Sequence, residues 1–164
     1  MSKIIKTSMK YISFPSIKYI SPKIGNSPKG FDCSGFIQWV LLKAGIKIHN
    51  VPNTNRCIRH SEEFFDYFGF SVHEKMVRPG DLVFFSKKGI RPTHVGLYLG
   101  EGKMIHAGNS TKMVEVIRIK DYIKKRPLRY PKNETRRQNY TKNPIGYKRI
   151  AVPKKDRFQK LPIK

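Results

Sequence analysis

The stretch Gly30-Phe31-Asp32-Cys33-Ser34-Gly35-Phe36 constrains this chain more than any other, because it runs straight into an apolar helical pattern. Apolar side chains recur at 36, 37, 40, 41 and 44, the spacing of a buried helical stripe. Lys43 falls in the last turn and Gly45 follows as a C-terminal stop. Asp32 is a good N-cap, which places Cys33 and Ser34 in the first turn. Unpaired amide N–H groups and the helix dipole favour a thiolate there, so the sequence predicts a cysteine that ionises readily. The same N–H groups can face an oxyanion formed when sulfur attacks a carbonyl. A small buried hydrophobe at a helix start is the other use of such a cysteine.

A nucleophile needs a base. Thr93-His94-Val95-Gly96-Leu97-Tyr98-Leu99 alternates His, Gly and Tyr on one face with Val and two Leu on the other. Gly100-Glu101-Gly102 then turns the chain, and Lys103-Met104-Ile105-His106-Ala107 returns. With a loop of those three residues, Leu99 pairs with Lys103 and Gly96 lies opposite His106. His94 and His106 then share a face on a diagonal, with Cβ atoms roughly 7–8 Å apart. A base with a second polar ring to orient it is the logic of a Cys–His catalytic set.

The ordered blocks Asp32-Cys33-Ser34-Gly35-Phe36, Arg78-Pro79-Gly80-Asp81-Leu82-Val83-Phe84-Phe85, His94-Val95-Gly96-Leu97-Tyr98 and Ile105-His106-Ala107 resemble the NlpC family of papain-like cysteine peptidases. The resemblance implies Cys33 as nucleophile, His94 as general base and acid, and His106 as the residue that orients His94. It also implies substrate contacts from Asp32 and Ser34, and no metal or other cofactor. The implied reaction is hydrolysis of amide bonds in bacterial cell-wall peptides, next to D-glutamate and a diamino acid. Relatives of the family turn the same apparatus to acyl transfer or side-chain deamidation. Upstream of the nucleophile the family carries Tyr-x-(Trp/Tyr)-Gly-Gly. Here Gly25 matches the second glycine, while Ile24, Lys23 and Ser21 stand at the first glycine, the aromatic and the tyrosine. Tyr19, two residues earlier, could supply the missing hydroxyl through a loop kinked at Pro22.

Composition bounds the rest. At 164 residues the chain suits one domain, expected over 1–152, followed by a basic, flexible tail at 153–164. Lys and Arg total 34 against 11 acids, a formal net charge of +23. Residues 120–164 hold 16 basic and 3 acidic residues, so +13 of the +23 lies there. Such a field suits an anionic partner, whether nucleic acid, an acidic membrane surface or an anionic cell-wall polymer. Solvated lysines decorating an ordinary surface give the same count. A basic module that binds such a polymer and dispenses with catalysis is therefore the rival to an enzyme. Cys33 and Cys57 are expected as free thiols rather than a disulfide framework. The five histidines show no metal-ligand spacing. The basic, aromatic stretch from Met1 to Pro22 reads as neither a membrane span nor a signal peptide, although the implied substrate lies in the cell envelope. A monomer is expected.

The remaining pattern predicts a helix from about Lys3 to Ile12, with Ile5, Met9 and Ile12 on its inner side. A second helix is expected from a cap at Thr54 or Asn55 to Phe68, with Cys57 half-buried in it and Gly69 ending it. Glu62, Glu63 and Asp66 make that helix a rare acidic place. Strands are expected at Leu82–Phe85, covered on both sides, at Met113–Ile119 and at Ile145–Val152, with a short helix starting near Tyr122. The polar stretch 131–144 shows no apolar period. The sum is an α+β fold of papain-like NlpC type, helices first, packed on an antiparallel sheet of five to six strands.

Overall fold

Helix α1 (Lys3–Met9) opens where the Ser2 hydroxyl accepts the Ile5 N–H. It turns Ile4, Ile5 and Ser8 inward in the computed structural model, which describes residues 2–21, 23–129 and 139–151. A small ribbon follows, β1 (Asn26–Ser27) paired antiparallel with β2 (Gly30–Phe31). Asp32 then caps helix α2 (Cys33–Lys43) by accepting the Gly35 N–H at 2.8 Å. The stripe Phe36, Ile37, Val40, Leu41 and Ala44 is buried, as its spacing requires. Each of the larger four contributes roughly 1.5–3 kcal/mol of hydrophobic stabilisation.

After helix α3 (Ser61–Tyr67) come β3 (Phe70–Val72), a 3₁₀ turn (Glu74–Met76), β4 (Leu82–Phe85), β5 (His94–Gly100), β6 (Lys103–Gly108) and β7 (Met113–Arg118). Helix α4 (Ile119–Lys125) and strand β8 (Gly146–Arg149) complete the order. The six main strands form one antiparallel sheet in the order β3-β8-β4-β5-β6-β7. The returning β8 is locked at its end by Arg149, which donates to both oxygens of the buried Asp81 at 2.9 Å. One face, with Leu82, Phe84, Val95, Leu97, Ile105 and Ala107, packs under α2 in the main core. The opposite face, with Val83, Phe85 and Met104, carries Ile119, Tyr122 and Ile123 of α4. Both sides of β4 are therefore covered, as its unbroken apolar run predicts.

Several expectations need correction. Helix α1 stops at Met9, the chain reverses at Ser13 (φ 68°), and Met9 and Ile12 are 40% and 39% exposed. The inward positions are 4, 5 and 8 rather than 5, 9 and 12. No helix starts at Thr54 or Asn55. The Thr54 hydroxyl donates to the Val51 carbonyl at 2.8 Å, and Asn50 pairs with Cys57 in an extended bridge. These local bonds compete with helix formation. The start moves to His60–Ser61, where the Glu63 carboxylate accepts the N–H groups of Arg59 and His60 at 2.8 and 3.0 Å. Cys57 is consequently exposed in a loop, not half-buried in a helix. The acidic cluster is part of this start: Glu63 also pairs with Arg56, and Glu62 with Arg91 at 3.6 Å. In the β5–β6 hairpin Lys103 pairs with Gly100 rather than Leu99, through a register shift after Tyr98. The Leu97–Ile105 pairing still sets Gly96 opposite His106. Tail residues 153–164, Val152, the kink at Pro22 and residues 131–138 lie outside the described residues.

Gly35 is fixed by a close approach, not by its dihedral angles. A Cβ there would lie 1.9 Å from the Gly25 carbonyl oxygen, which also accepts the Asp32 N–H. No side-chain rotation relieves a clash with backbone. Gly35→Ala should cost about 3 kcal/mol or more in urea unfolding. Gly45→Ala should cost only about 1–2 kcal/mol, because Gly45 has φ 80° but its surroundings are open. Equal midpoints for the two variants would contradict this reading of the helix–ribbon contact.

Candidate active site

Helix α2 approaches the sheet from the main-core side, while His94 and His106 stand on the strand positions that face α4. They meet because His94 is the first residue of β5, at the end of the sheet where Cys33 begins its helix. The backbone N–H groups of Val95 and Ser34 lie near the Cys33 sulfur and favour its thiolate. Val95 is the chain neighbour of His94, so the sulfur is seated beside the start of β5.

The two imidazoles are directly joined, His94 Nε2 to His106 Nδ1 at 2.9 Å, with rings near perpendicular. The hydrogen bond leaves Nδ1 of His94 as its second site for a proton. Tyr122 of α4 stacks flat on His94, centroids 5.0 Å apart at 17°, and meets His106 edge-on at 5.3 Å. Phe85 backs Tyr122 at 4.5 Å. Both histidines are buried. Burial, the His106 charge and the Arg126 charge hold His94 well below the usual histidine range. Burial and Arg126 lower His106 to about 4. Both rings are therefore neutral at pH 7.

Although Cys33 keeps part of its surface open to the cleft, burial of the thiol and then the Asp32 carboxylate push it up to about 11. The Val95 and Ser34 amides and Arg59 pull the other way and do not prevail. This reverses the expectation of a readily ionised cysteine: desolvation outweighs the helix terminus. At rest the pair is a neutral thiol and a neutral imidazole.

The sulfur opens into a cleft of about 480 Å³ lined by Tyr19, Ser34, His60, Glu62, Arg91 and Thr93 among others. Tyr19 thus shares the cleft with Cys33, and its hydroxyl lies 3.5 Å from His60 Nε2. Ser34 reaches the cleft, whereas Asp32 is only 2% exposed and does not line it. Arg59 pairs with both Asp32 oxygens, donates to Ser34 Oγ at 3.0 Å and to the Ile24 carbonyl at 2.7 Å. The Asp32 carboxylate is committed to the helix and to Arg59 and is not placed to touch a molecule in the cleft. Among the described residues no cluster of three or more His, Cys, Asp or Glu could hold a metal ion, and no helix is long and apolar enough to cross a membrane.

Sequence reasoning missed Arg59, His60 and Tyr122. Arg59 is one more base in a basic run, and only its burial 27 residues from its partner marks it. Tyr122 carried a helix signal but nothing to say that its ring would cover the histidines.

A family model for the NlpC/P60 family matches residues 23–132. A gamma-DL-glutamyl hydrolase of Bacillus subtilis is 37% identical over 94 residues, covering 55% of this chain and 20% of that protein. A bifunctional muramidase/DL-endopeptidase, CwlT, from the same organism is 38% identical over 89 residues, 52% of this chain and 24% of the relative. The chain thus spans about a fifth to a quarter of these relatives' length. The crystal structure of the NlpC/p60 domain of the peptidoglycan hydrolase SagA superposes with a TM-score of 0.56 at 29% identity, covering 73% of this chain and 90% of that one.

A neutral resting thiol has a measurable signature. In Cys57→Ala protein, alkylation of Cys33 by iodoacetamide should accelerate steadily with pH toward about 11. A rate already level at pH 6–7 would mean a thiolate in the free protein and would refute the neutral pair.

Proposed function

The chain belongs to the NlpC/P60 family, and we propose on that footing that it is a cysteine peptidase hydrolysing peptidoglycan stem peptides between D-glutamate and a diamino acid. The observation that carries this reading is the His94–His106 pair at 2.9 Å, beside a cysteine that opens on a cleft. Relatives named for gamma-DL-glutamyl hydrolysis and DL-endopeptidase activity support the choice of bond.

His94, neutral and holding a free Nδ1, takes the Cys33 proton as the sulfur attacks the amide carbonyl. The positive end of α2 and the Cys33 N–H stabilise the oxyanion. The C–N bond breaks, the proton on His94 goes to the leaving amine, and a thioester remains on Cys33. Water, deprotonated by His94, then releases the carboxylic acid and restores the thiol. His106 holds the His94 ring through both halves. Because the resting pair is neutral, the proton moves during the attack rather than before it. Tyr19, Ser34 and His60 form the wall that receives the peptide, with Asp32 and Arg59 fixing that wall from beneath. The excess of basic residues draws the enzyme toward anionic wall polymers.

Defined muropeptides incubated with the protein and analysed by mass spectrometry test the proposal. Wild type and Cys57→Ala should cut between D-glutamate and the diamino acid, while Cys33→Ala should leave the peptide intact. Loss of cleavage on changing Cys57, or retention without Cys33, would remove the nucleophile assignment. Intact muropeptides with every variant would remove the substrate.

A further inference from the structure

His106 has two ring nitrogens, and the reading above uses only one. Nδ1 is bonded to His94, whereas Nε2 is buried and has no hydrogen-bond partner among the described residues, in a residue only 2% exposed. An unpaired buried donor costs about 1–3 kcal/mol, so something must favour the arrangement or answer it. The nearest carboxylate is Glu115, whose Oε1 lies 3.5 Å from that nitrogen. Glu115 is the direct cross-strand partner of His106 in the β6–β7 register, so the pairing is set by backbone. Its side chain is 26% exposed, and the Thr111 hydroxyl donates to the same oxygen at 2.9 Å. Gly108 leaves the room: a Cβ there would stand 2.5 Å from that oxygen.

We propose that Glu115 is a positioning residue for the Cys33–His94–His106 set, selecting the His106 tautomer that leaves His94 able to act as a base. The inference rests on the cysteine-peptidase reading of the same site. A neutral His106 carries one N–H. With the hydrogen on Nε2, it points at the Glu115 carboxylate, and Nδ1 accepts the Nε2–H of His94. His94 Nδ1 is then a lone pair, ready for the thiol proton. With the hydrogen on His106 Nδ1 instead, its Nε2 lone pair faces a carboxylate oxygen. His94 must then accept at Nε2 and carry its own hydrogen on Nδ1, so no base faces the sulfur. The carboxylate repels the second arrangement and attracts the first. When His94 becomes imidazolium during attack, Glu115 also supplies a negative charge one ring away. Among the described residues, the other charged or titratable groups facing the pair are Cys33 from α2, Tyr122 from α4 and Arg126 at the C-cap of α4. Arg126 opposes the imidazolium, whereas Glu115, against His106 Nε2, favours it.

Three variants separate this role from simple support of the fold. Glu115→Leu removes acceptor and charge and should lower kcat for muropeptide cleavage about 10- to 100-fold with KM little changed. Glu115→Gln keeps an acceptor oxygen for Nε2–H and should recover part of that loss. ¹⁵N spectra of the imidazoles in Cys33→Ala protein report the tautomer without any turnover. His106 should carry its hydrogen on Nε2, and adding Glu115→Leu should mix or reverse the assignment. An unchanged tautomer in that double variant would overturn the inference even if activity falls, since the loss would then be structural. Wild-type kcat in Glu115→Leu would overturn it equally. Failure of Cys33→Ala to abolish cleavage would instead strike the catalytic reading, leaving the tautomer experiment to judge Glu115 on its own.

Discussion

The buried pairing of Asp32 with Arg59 fixes the point from which everything else in the site is measured. Asp32 uses one carboxylate to cap α2 through Gly35 and to engage a guanidinium that also holds Ser34 and the Ile24 carbonyl. The helix start, the loop before β1 and the segment before α3 are thereby tied at one place. Removing one partner of such a pair costs about 3–5 kcal/mol, because the survivor stays buried. The position of the Cys33 sulfur is thus over-determined by charge, by the cap and by the Gly35–Gly25 contact. The nucleophile role proposed for Cys33 needs placement within a fraction of an ångström, which that redundancy supplies.

The same carboxylate has a cost for chemistry. It lies one residue from the thiol and, together with desolvation, raises it. On the far side, burial and Arg126 lower both histidines. The thiol and the imidazoles are pushed apart in opposite senses, so each is uncharged at rest. In the proposed mechanism charge develops only as the sulfur attacks, where the amide N–H groups of Ser34 and the start of α2 can meet it. Interactions made chiefly in the transition state raise turnover more than binding does. Tyr122, stacked on His94, would exclude water from that proposed step.

Much of this was legible in the chain, and the reasons are physical. Helix α2 announced itself because cap, stripe and stop agree over one short stretch. The histidine pair followed from strand alternation and one tight turn, and survived the register shift at the hairpin end because the shift lies beyond Tyr98. Local signals failed where tertiary contacts decide. Helix α3 starts late because Thr54 ties down the loop and Glu63 gathers two amides. Arg59 looked like any basic residue until Asp32, far away in sequence, met it. The thiol's titration was misjudged because a helix terminus is visible in sequence and desolvation is not. Tyr19 is the intermediate case: it stands two residues from the position of the family's tyrosine, and it lines the cleft beside Cys33.

The account stands on one covalent event at one sulfur. Intact-protein mass spectrometry of acid-quenched turnover mixtures, followed by peptide mapping, looks for it directly. A thioester adduct with the mass of the acyl half of the peptide should appear on Cys33 and disappear as substrate is consumed. Substrate turnover with no adduct under any quench time, or an adduct on Cys57, would contradict the central claim.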